Sequence, residues 1–204
     1  VGCNFHCDYC CIASIYEGNC HVRKLHHVFA ELDYLHEKTR RIAFVDTNIH
    51  SRHSYLKALC EGMLERKYRF VWGAQSTIDI GDDVETLKLM RRVGCKALFI
   101  GLETFSQANL ENVHKGLSAE SYERRIRNIH DAGIKIAAFL MYGFDHDTKD
   151  TARQLAGLVI RHSIELPMIN LLVPLQGTAL YERLRAENRL LIETLPARVA
   201  AGKA

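Results

Sequence analysis

Three cysteines near the start of the chain have the spacing that is most informative about chemistry. Cys3, Cys7 and Cys10 form a C-x3-C-x2-C pattern. A short loop with this spacing can direct three thiolates to three corners of one four-iron cluster, which usually has four cysteine ligands. One iron would then lack a protein ligand and would be open to a substrate or cofactor.

The same cysteines are also compatible with zinc or with no metal. Tetrahedral zinc binds clustered cysteines and would need a fourth ligand. The nearby candidates for that ligand are His6, Cys11, Cys20 and His21. The cysteines can also be reduced thiols without a metal. The spacing by itself leaves these three interpretations open.

Other potential ligands surround this loop, and we interpret them as non-ligands. Adjacent cysteines rarely both reach one cluster, so Cys11 and Cys20 are assigned no metal. A histidine-rich stretch follows, with His21, His26, His27, His36, His50 and His53. We interpret these histidines as solvated surface rather than as a metal site.

The composition is that of a soluble globular protein. The 204 residues, 48% hydrophobic and 25% charged, suffice for one sizeable domain. A net charge of +3 is too small to indicate a nucleic acid partner. No apolar run approaches the ~20 residues that a membrane span needs. Five of the seven cysteines cluster near the start of the chain and Cys60 and Cys95 are isolated, a pattern that indicates a reducing compartment, and we predict the cytoplasm.

Short apolar strands alternate with amphipathic helices along the chain. The spacing is the ~30 residues or more that is typical of βαβ units. Strands are predicted at 41–46, 69–74, 96–100, 135–142 and 168–173. Asp82, followed by Glu85, resembles a capping box that starts one of the helices. Because the strands are continuously apolar, we predict an α/β fold whose parallel sheet is covered on both faces, either a barrel or an open doubly wound sheet.

Polar residues collect where these strands end. They are Asp46, Thr47, Asn48, Gln75, Ser76, Glu103, Thr104 and Asp145. Ligands of α/β folds bind outside the carboxyl ends of the strands. A ring of amide, hydroxyl and carboxylate groups at that edge suits a small polar ligand that carries an amine, a carboxylate and a ribose.

Six segments, in this order over about residues 1–185, resemble one enzyme family. They are GCNFHCDYC at 2–10, FVDTN at 44–48, WGAQ at 72–75, CKALFIGLET at 95–104, YGFDHDT at 142–148 and PLQGTALY at 174–181. Together they resemble the core of a radical S-adenosylmethionine (SAM) enzyme. Within that family they are most similar to the branch that often carries an N-terminal cobalamin-binding domain.

The resemblance implies a fold and a domain organisation. The expected fold is a parallel partial (β/α)6 TIM-like barrel that lacks its first strand in this sequence. Residues 1–204 are expected to be the radical SAM core domain. The missing strand, and the cobalamin-binding domain of this branch, are expected upstream of Val1.

The resemblance also implies a set of site residues. Cys3, Cys7 and Cys10 are expected to hold a [4Fe–4S] cluster. The amino and carboxylate groups of SAM are expected to chelate its open iron. Tyr9 is expected to lie beside the adenine of SAM, and Asp46, Thr47 and Asn48 are expected in place of a glycine-rich methionine-binding motif. Gln75 and Glu103, on the next two strands, are expected to face SAM. Gly143, Phe144 and Pro174 are expected on the adenine side.

The implied activity is reductive cleavage of SAM to a 5′-deoxyadenosyl radical that abstracts hydrogen. In this branch it supports cobalamin-dependent methyl transfer or a related reaction at an unactivated carbon. The implied partners are a small-molecule or lipid-like substrate and an electron donor such as a flavodoxin or ferredoxin. A non-catalytic iron–sulfur or zinc-binding protein on the same fold is the alternative.

Overall fold

The fold is a single parallel sheet whose strands are connected by helices. A computed structural model describes residues 1–191, and the end of the predicted domain, residues 192–204, lies outside the described residues. The strands are β1 (Arg41–Phe44), β2 (Val71–Thr77), β3 (Cys95–Glu103), β4 (Lys135–Tyr142) and β5 (Leu166–Leu171). The helices are α1 (Cys11–Tyr16), α2 (Leu25–Lys38), α3 (His53–Glu65), α4 (Val84–Arg92), α5 (Gln107–Asn112), α6 (Tyr122–Asp131), α7 (Thr151–Arg161) and α8 (Ala179–Ala186).

The order of the strands confirms the predicted fold class. Each strand lies beside the next one in the chain, in the order β1-β2-β3-β4-β5, and every pair is parallel. A doubly wound sheet reverses its direction of growth, whereas a barrel does not. Within residues 1–191, β1 and β5 form the two edges, so the barrel is partial.

The side chains of the central strand β3 point alternately to the core under the helices and to the opposite face of the sheet. Leu98, Ile100 and Leu102 are fully buried in the core that the helices cover. Successive side chains of a strand point to opposite faces. Phe99 and Glu103 therefore lie on the other face, where they line a cavity.

The edge strand β5 is not covered on both faces, although its apolar sequence predicted that it would be. Most residues of β4 are buried or partly buried, but none of β5 is buried, and Ile169 and Leu171 are largely exposed. Apolar composition thus does not distinguish a central strand from an edge strand.

None of the helices in the described range is long and apolar enough to cross a membrane.

Local signals fix the start and the end of α4, and the start lies one residue after the predicted capping residue. The N-cap is Asp83, whose carboxylate accepts a hydrogen bond from the Thr86 amide at 3.0 Å. The expected capping residue, Asp82, instead binds Arg124 and Arg125. After the helix, Gly94 has φ of +97°, and a Cβ there would lie 1.8 Å from the Phe70 carbonyl oxygen, so glycine is required.

Candidate functional site

The cysteine loop at 3–10 is held in place by three distant parts of the chain. The Asp8 amide donates to the Val113 carbonyl at 3.1 Å, and the Asp8 carbonyl accepts from the Leu180 amide at 2.9 Å. The Thr47 hydroxyl donates to the Gly2 carbonyl at 2.6 Å. These bonds connect the loop to the ends of α5, α8 and β1, so the rest of the fold fixes the direction of the thiols.

All three thiols lie on one wall of a cavity of about 390 Å³, which we call the cysteine cavity. Its other walls are the concave face of the sheet and the residues that follow α5. The lining residues are Cys3, Phe5, Cys7, Tyr9, Cys10, Ile12, Thr47, Gln75, Ser76, Thr77, Phe99, Gly101, Glu103, Lys115, Phe139, Met141 and Asn170. The cavity therefore combines three thiols, a few polar groups and large apolar side chains.

A buried ion pair forms part of this wall. Lys115 Nζ lies 2.9 Å from Glu103 Oε1 and donates to the Tyr9 hydroxyl at 3.3 Å. The side chains of Lys115 and Glu103 are only 6% and 10% exposed. A buried pair of this kind is maintained only if both partners remain, because an unpaired buried charge is costly.

The electrostatics of the pair and the cysteines are coupled. Burial by itself would lower the pKa of Lys115, but the negative charges of Glu103 and Cys7 outweigh it and the pKa is raised. Burial raises the pKa of the Cys7 thiol, while the charge of Lys115 opposes that increase. Burial also raises the pKa of the Tyr9 hydroxyl far above its usual range. Lys115 is thus a permanent positive charge beside the thiols.

The backbone is distorted where Glu103 enters the cavity. Glu103 has φ of +62°, which is uncommon for a residue with a side chain, and the pairing of β3 with β4 shifts between Gly101 and Glu103. The side chain of Glu103 lies over Gly101, where a Cβ would be 2.5 Å from Glu103 Oε1. Strained backbone of this kind is concentrated at functional sites in proteins.

Seven of the predicted site residues come together around the cysteine cavity. They are Cys3, Cys7, Tyr9, Cys10, Thr47, Gln75 and Glu103. They originate from the loop, from the segment after β1 and from the ends of β2 and β3. This grouping is what the argument from strand ends predicts for those three strands.

Asp46 and Asn48 lie elsewhere. Both line a second cavity, of about 420 Å³, between α2 and β1. The buried Asn48 amide donates to the Thr77 hydroxyl at 3.1 Å, and its carbonyl oxygen accepts from the His50 amide at 3.1 Å. Asn48 thus ties the end of β1 to the end of β2, which is a structural contact.

Gly143, Phe144 and Pro174 are also absent from the lining of the cysteine cavity. Gly143 and Pro174 line a small pocket of about 40 Å³ beside Arg183. Phe144 is buried, and its amide donates to Asp147 Oδ2 at 2.9 Å. The segment after β4 therefore does not contribute to the cysteine cavity, and the predicted polar residues that line it are Thr47, Gln75, Ser76 and Glu103.

Sequence reasoning missed three polar residues of the cavity, and one of them, Thr77, directly follows the predicted Gln75 and Ser76. Lys115 follows α5 and has no pattern in its own segment that marks it, since its partner Glu103 is on another element. Asn170 lies within β5, and it is the single polar side chain in the sequence LPMINL. An isolated amide in an apolar strand is a signal that could have identified Asn170.

The cavity fits a cluster with three cysteine ligands better than a single zinc ion. The thiols of Cys3, Cys7 and Cys10 are not a group whose ligand atoms all lie within 4.8 Å of one another. One tetrahedral zinc, with Zn–S bonds of about 2.3 Å, would hold three sulfurs closer than that. The positive charge of Lys115 beside the thiols also suits an anionic thiolate-bound cluster.

Comparison with known proteins assigns a family and similar enzymes. The family model described as the Radical SAM superfamily matches residues 1–159. The chain is 29% identical, over 189 residues, to bacteriochlorophyllide d C-12(1)-methyltransferase of Chlorobaculum tepidum, with 90% of this chain and 41% of that protein covered. It is 30% identical, over 197 residues, to hopanoid C-2 methylase of Rhodopseudomonas palustris, with 93% and 37% covered.

Solved structures share the fold. The radical S-adenosylmethionine methyltransferase TsrM from Kitasatospora setae, with cobalamin and a [4Fe–4S] cluster bound, superposes with a TM-score of 0.78 at 17% identity over 91% of this chain and 38% of that chain. The cobalamin-dependent S-adenosylmethionine radical enzyme OxsB gives a TM-score of 0.70 at 16% identity over 92% and 34%. The chain spans about two fifths of the length of its curated relatives.

Proposed function

Because the chain belongs to the radical SAM superfamily, we propose that Cys3, Cys7 and Cys10 hold a [4Fe–4S] cluster and that SAM binds in the cysteine cavity. The single observation that carries the proposal is that all three cysteines line one cavity together with polar groups of β2 and β3. One-electron cleavage of SAM to methionine and a 5′-deoxyadenosyl radical is the chemistry that such a cluster supplies.

We assign the binding of SAM to residues around that cavity. Glu103 accepts from the amino group of SAM while it remains paired with Lys115. Gln75 and Thr47 provide further polar contacts, and Tyr9 borders the adenine. For Asp46, Asn48, Gly143, Phe144 and Pro174 we propose a supporting role behind the cavity, because each lines a different cavity or is bonded within the fold.

The apolar part of the cavity suits radical chemistry. Phe99, Phe139 and Met141 project from β3 and β4 into the space beside the thiols. These apolar side chains exclude water and keep that part of the cavity dry. We propose that the carbon that loses hydrogen enters against this apolar wall, and that the chain orients it there.

We further propose that the whole protein catalyses cobalamin-dependent methyl transfer. The support is that relatives of this chain are named methyltransferases and that the fold is shared with cobalamin-binding radical SAM enzymes. The cobalamin would bind to a domain upstream of Val1. A small-molecule or lipid-like substrate, a flavodoxin or ferredoxin as electron donor, and a cytoplasmic location complete the proposal.

Anaerobic reconstitution with iron and sulfide tests the cluster and the SAM site. We expect about four irons per chain, as one four-iron cluster requires, and an electron paramagnetic resonance (EPR) signal of the reduced protein that changes when SAM is added. Zinc that is retained, together with no effect of SAM, would contradict the proposal and favour a non-catalytic metal protein.

Substitution of single cysteines assigns the ligands. Cys7→Ala is expected to abolish both iron incorporation and reductive cleavage of SAM. Cys11→Ala is the matched control, because Cys11 begins α1 and does not line the cysteine cavity. Reductive cleavage that persists in Cys7→Ala would show that the ligand assignment is wrong.

Purification of the full-length protein tests methyl transfer. We expect cobalamin to copurify and the label of methyl-labelled SAM to pass through cobalamin. A full-length protein that retains a cluster, cleaves SAM and binds no cobalamin would leave the radical SAM assignment intact and contradict only the methyl transfer.

A further inference from the structure

Two loops at the same end of the sheet bring two histidines and an aspartate together. His50 lies in the loop after β1, His53 begins α3, and Asp83 is the N-cap of α4. One ligand atom from each residue lies within 4.8 Å of the other two. His50 Nε2 is 3.4 Å from His53 Nδ1, which is 2.8 Å from Asp83 Oδ2.

The aspartate directs its second carboxylate oxygen at one of the histidines. Asp83 Oδ1 accepts from the Thr86 amide at the start of α4. Asp83 Oδ2 is buried and lies 2.8 Å from His53 Nδ1. Because carboxylate oxygens and imidazole nitrogens both ligate ions of the zinc type, this close approach brings two potential ligand atoms together.

The histidine has a second carboxylate behind it. His50 Nδ1 faces Asp79 Oδ2 at 3.9 Å, while Nε2 of the same ring is directed at His53. Metal-ligating imidazoles commonly have a carboxylate on the far nitrogen, which orients the ring. His50 is only 14% exposed, so the interpretation of this histidine as solvated surface is wrong.

We propose that His50, His53 and Asp83 bind one divalent transition-metal ion of the zinc type. Two imidazoles and one carboxylate are a ligand set for Zn²⁺ or Fe²⁺, whereas Ca²⁺ and Mg²⁺ prefer oxygen ligands. Asp82 is not part of this site, because its two carboxylate oxygens bind Arg124 and Arg125.

The distances suit such an ion. Bonds of about 2.0–2.2 Å in a tetrahedral zinc site separate the ligand atoms by roughly 3.4 Å. The two histidine nitrogens already have this separation. The His53 ring is about half exposed, so it can rotate and increase the distance of 2.8 Å between its Nδ1 and Asp83 Oδ2. A water molecule can occupy the fourth coordination position of the ion.

The ion would connect the ends of β1 and β2 beside the cysteine cavity. The Asn48 side chain accepts from the His50 amide and donates to the Thr77 hydroxyl, and that hydroxyl donates to Asp79. Thr77 also lines the cysteine cavity. The metal therefore acts as a structural clamp on one wall of the cavity, and its binding is independent of the proposed SAM chemistry.

Titration of Co²⁺, followed by Zn²⁺, into the iron–sulfur-loaded protein tests the site. With the cysteines occupied, we expect one Co²⁺ per chain, with visible absorption bands typical of imidazole and carboxylate ligands and no thiolate-to-cobalt charge transfer. Zn²⁺ should displace it and raise the melting temperature. Absence of binding, or a spectrum of thiolate-bound cobalt alone, would overturn the proposal.

Variants separate the ligands from the fold. His50→Ala and Asp83→Ser should lose Co²⁺ binding, and serine preserves the N-cap of α4. Asp79→Asn should weaken it by about 10–100-fold, the effect of removing a carboxylate behind a ligand. His26→Ala, at an exposed histidine of α2, is the matched control. Equal Co²⁺ affinity in the His50→Ala and His26→Ala variants would contradict the site, whatever the iron content.

Discussion

Two regions of the site show that the burial of ion pairs, rather than their number, decides how much they contribute to stability. One region holds a single buried pair and the other an open network. The buried pair, Lys115 with Glu103, has side chains 6% and 10% exposed. The open network joins Asp145 to Arg183 at 2.8 Å and to Arg189 at 2.5 Å beside the small pocket after β4. Breaking a buried pair typically costs about 3–5 kcal/mol, while exposed pairs are worth about 0.2–1 kcal/mol.

The contrast has a consequence for function. The buried pair is in the cysteine cavity, where apolar walls make its electric field strong. The open network is partly exposed, so water screens part of its charge. The single buried pair beside the thiols therefore influences the candidate chemistry more than the two ion pairs of Asp145.

Lys115→Met should have the largest effect, because it leaves the Glu103 charge buried without a partner. We expect a loss of about 3–5 kcal/mol in the free energy of unfolding, measured by urea denaturation, together with weaker SAM binding after reconstitution. The double variant Lys115→Met/Glu103→Gln should recover most of the stability. A loss below about 1 kcal/mol in the single variant, the range of exposed pairs, would remove the distinction between the two groups.

Gly101→Ala should have an intermediate effect on the same pair. The new Cβ would lie 2.5 Å from Glu103 Oε1 and 3.3 Å from Lys115 Nζ, so the pair must shift. Overpacking of this kind typically costs about 1–3 kcal/mol. Gly157→Ala is the matched control: nothing lies within 4 Å of its added Cβ in α7, and removing a helical glycine stabilises by about 0.5–1 kcal/mol. Equal melting temperatures for the two variants would contradict the packing argument.

Asp145→Asn should have a smaller effect, although it breaks contacts with two arginines. Both arginines are partly exposed, so neither is left as a fully buried charge. We expect a loss of stability at pH 7 well below that of Lys115→Met, measured by the same denaturation series. A loss as large as that of Lys115→Met would show that the open network is effectively buried.

The pH dependence of that small difference sharpens the comparison further. The hydrogen bond from Arg189, opposed in part by burial, lowers the pKa of Asp145 below its usual 3.8. A lowered carboxyl pKa contributes stability above pH 3.8, and this contribution is lost as the pH falls through the folded-state pKa. The difference between the wild type and Asp145→Asn should therefore persist from pH 7 to about pH 4 and disappear at lower pH. A difference that is constant down to pH 2 would contradict the charge-based origin.

Much of the fold was predictable because its determinants are local. Apolar runs of strand length that alternate with amphipathic helices indicated the order of elements and the α/β class. Errors were at boundaries and edges: Asp83 rather than Asp82 caps α4, and β5 is exposed although its sequence is as apolar as that of a central strand. Burial depends on neighbours that a strand's own residues do not reveal.

The candidate site was predictable to the extent that its residues are close in sequence or follow strands in a regular way. Cys3, Cys7 and Cys10 lie within eight residues, so one loop suffices to bring their thiols to one cavity wall. Gln75 and Glu103 follow from the rule that parallel strands end at one edge of the sheet. That rule places a residue at the edge, but it does not say which way its side chain turns.

Only the tertiary structure decided the rest. Asp46 and Asn48 flank Thr47, yet they face a different cavity, because neighbouring side chains at the end of β1 point in different directions. Lys115 meets Glu103, and His50 meets Asp83, because separate loops converge after folding. The sequence by itself determined the three-cysteine loop, the order of strands and helices along the chain and the resemblance to one enzyme family. Packing decided which polar groups share a cavity, since contacts between distant segments have no local pattern.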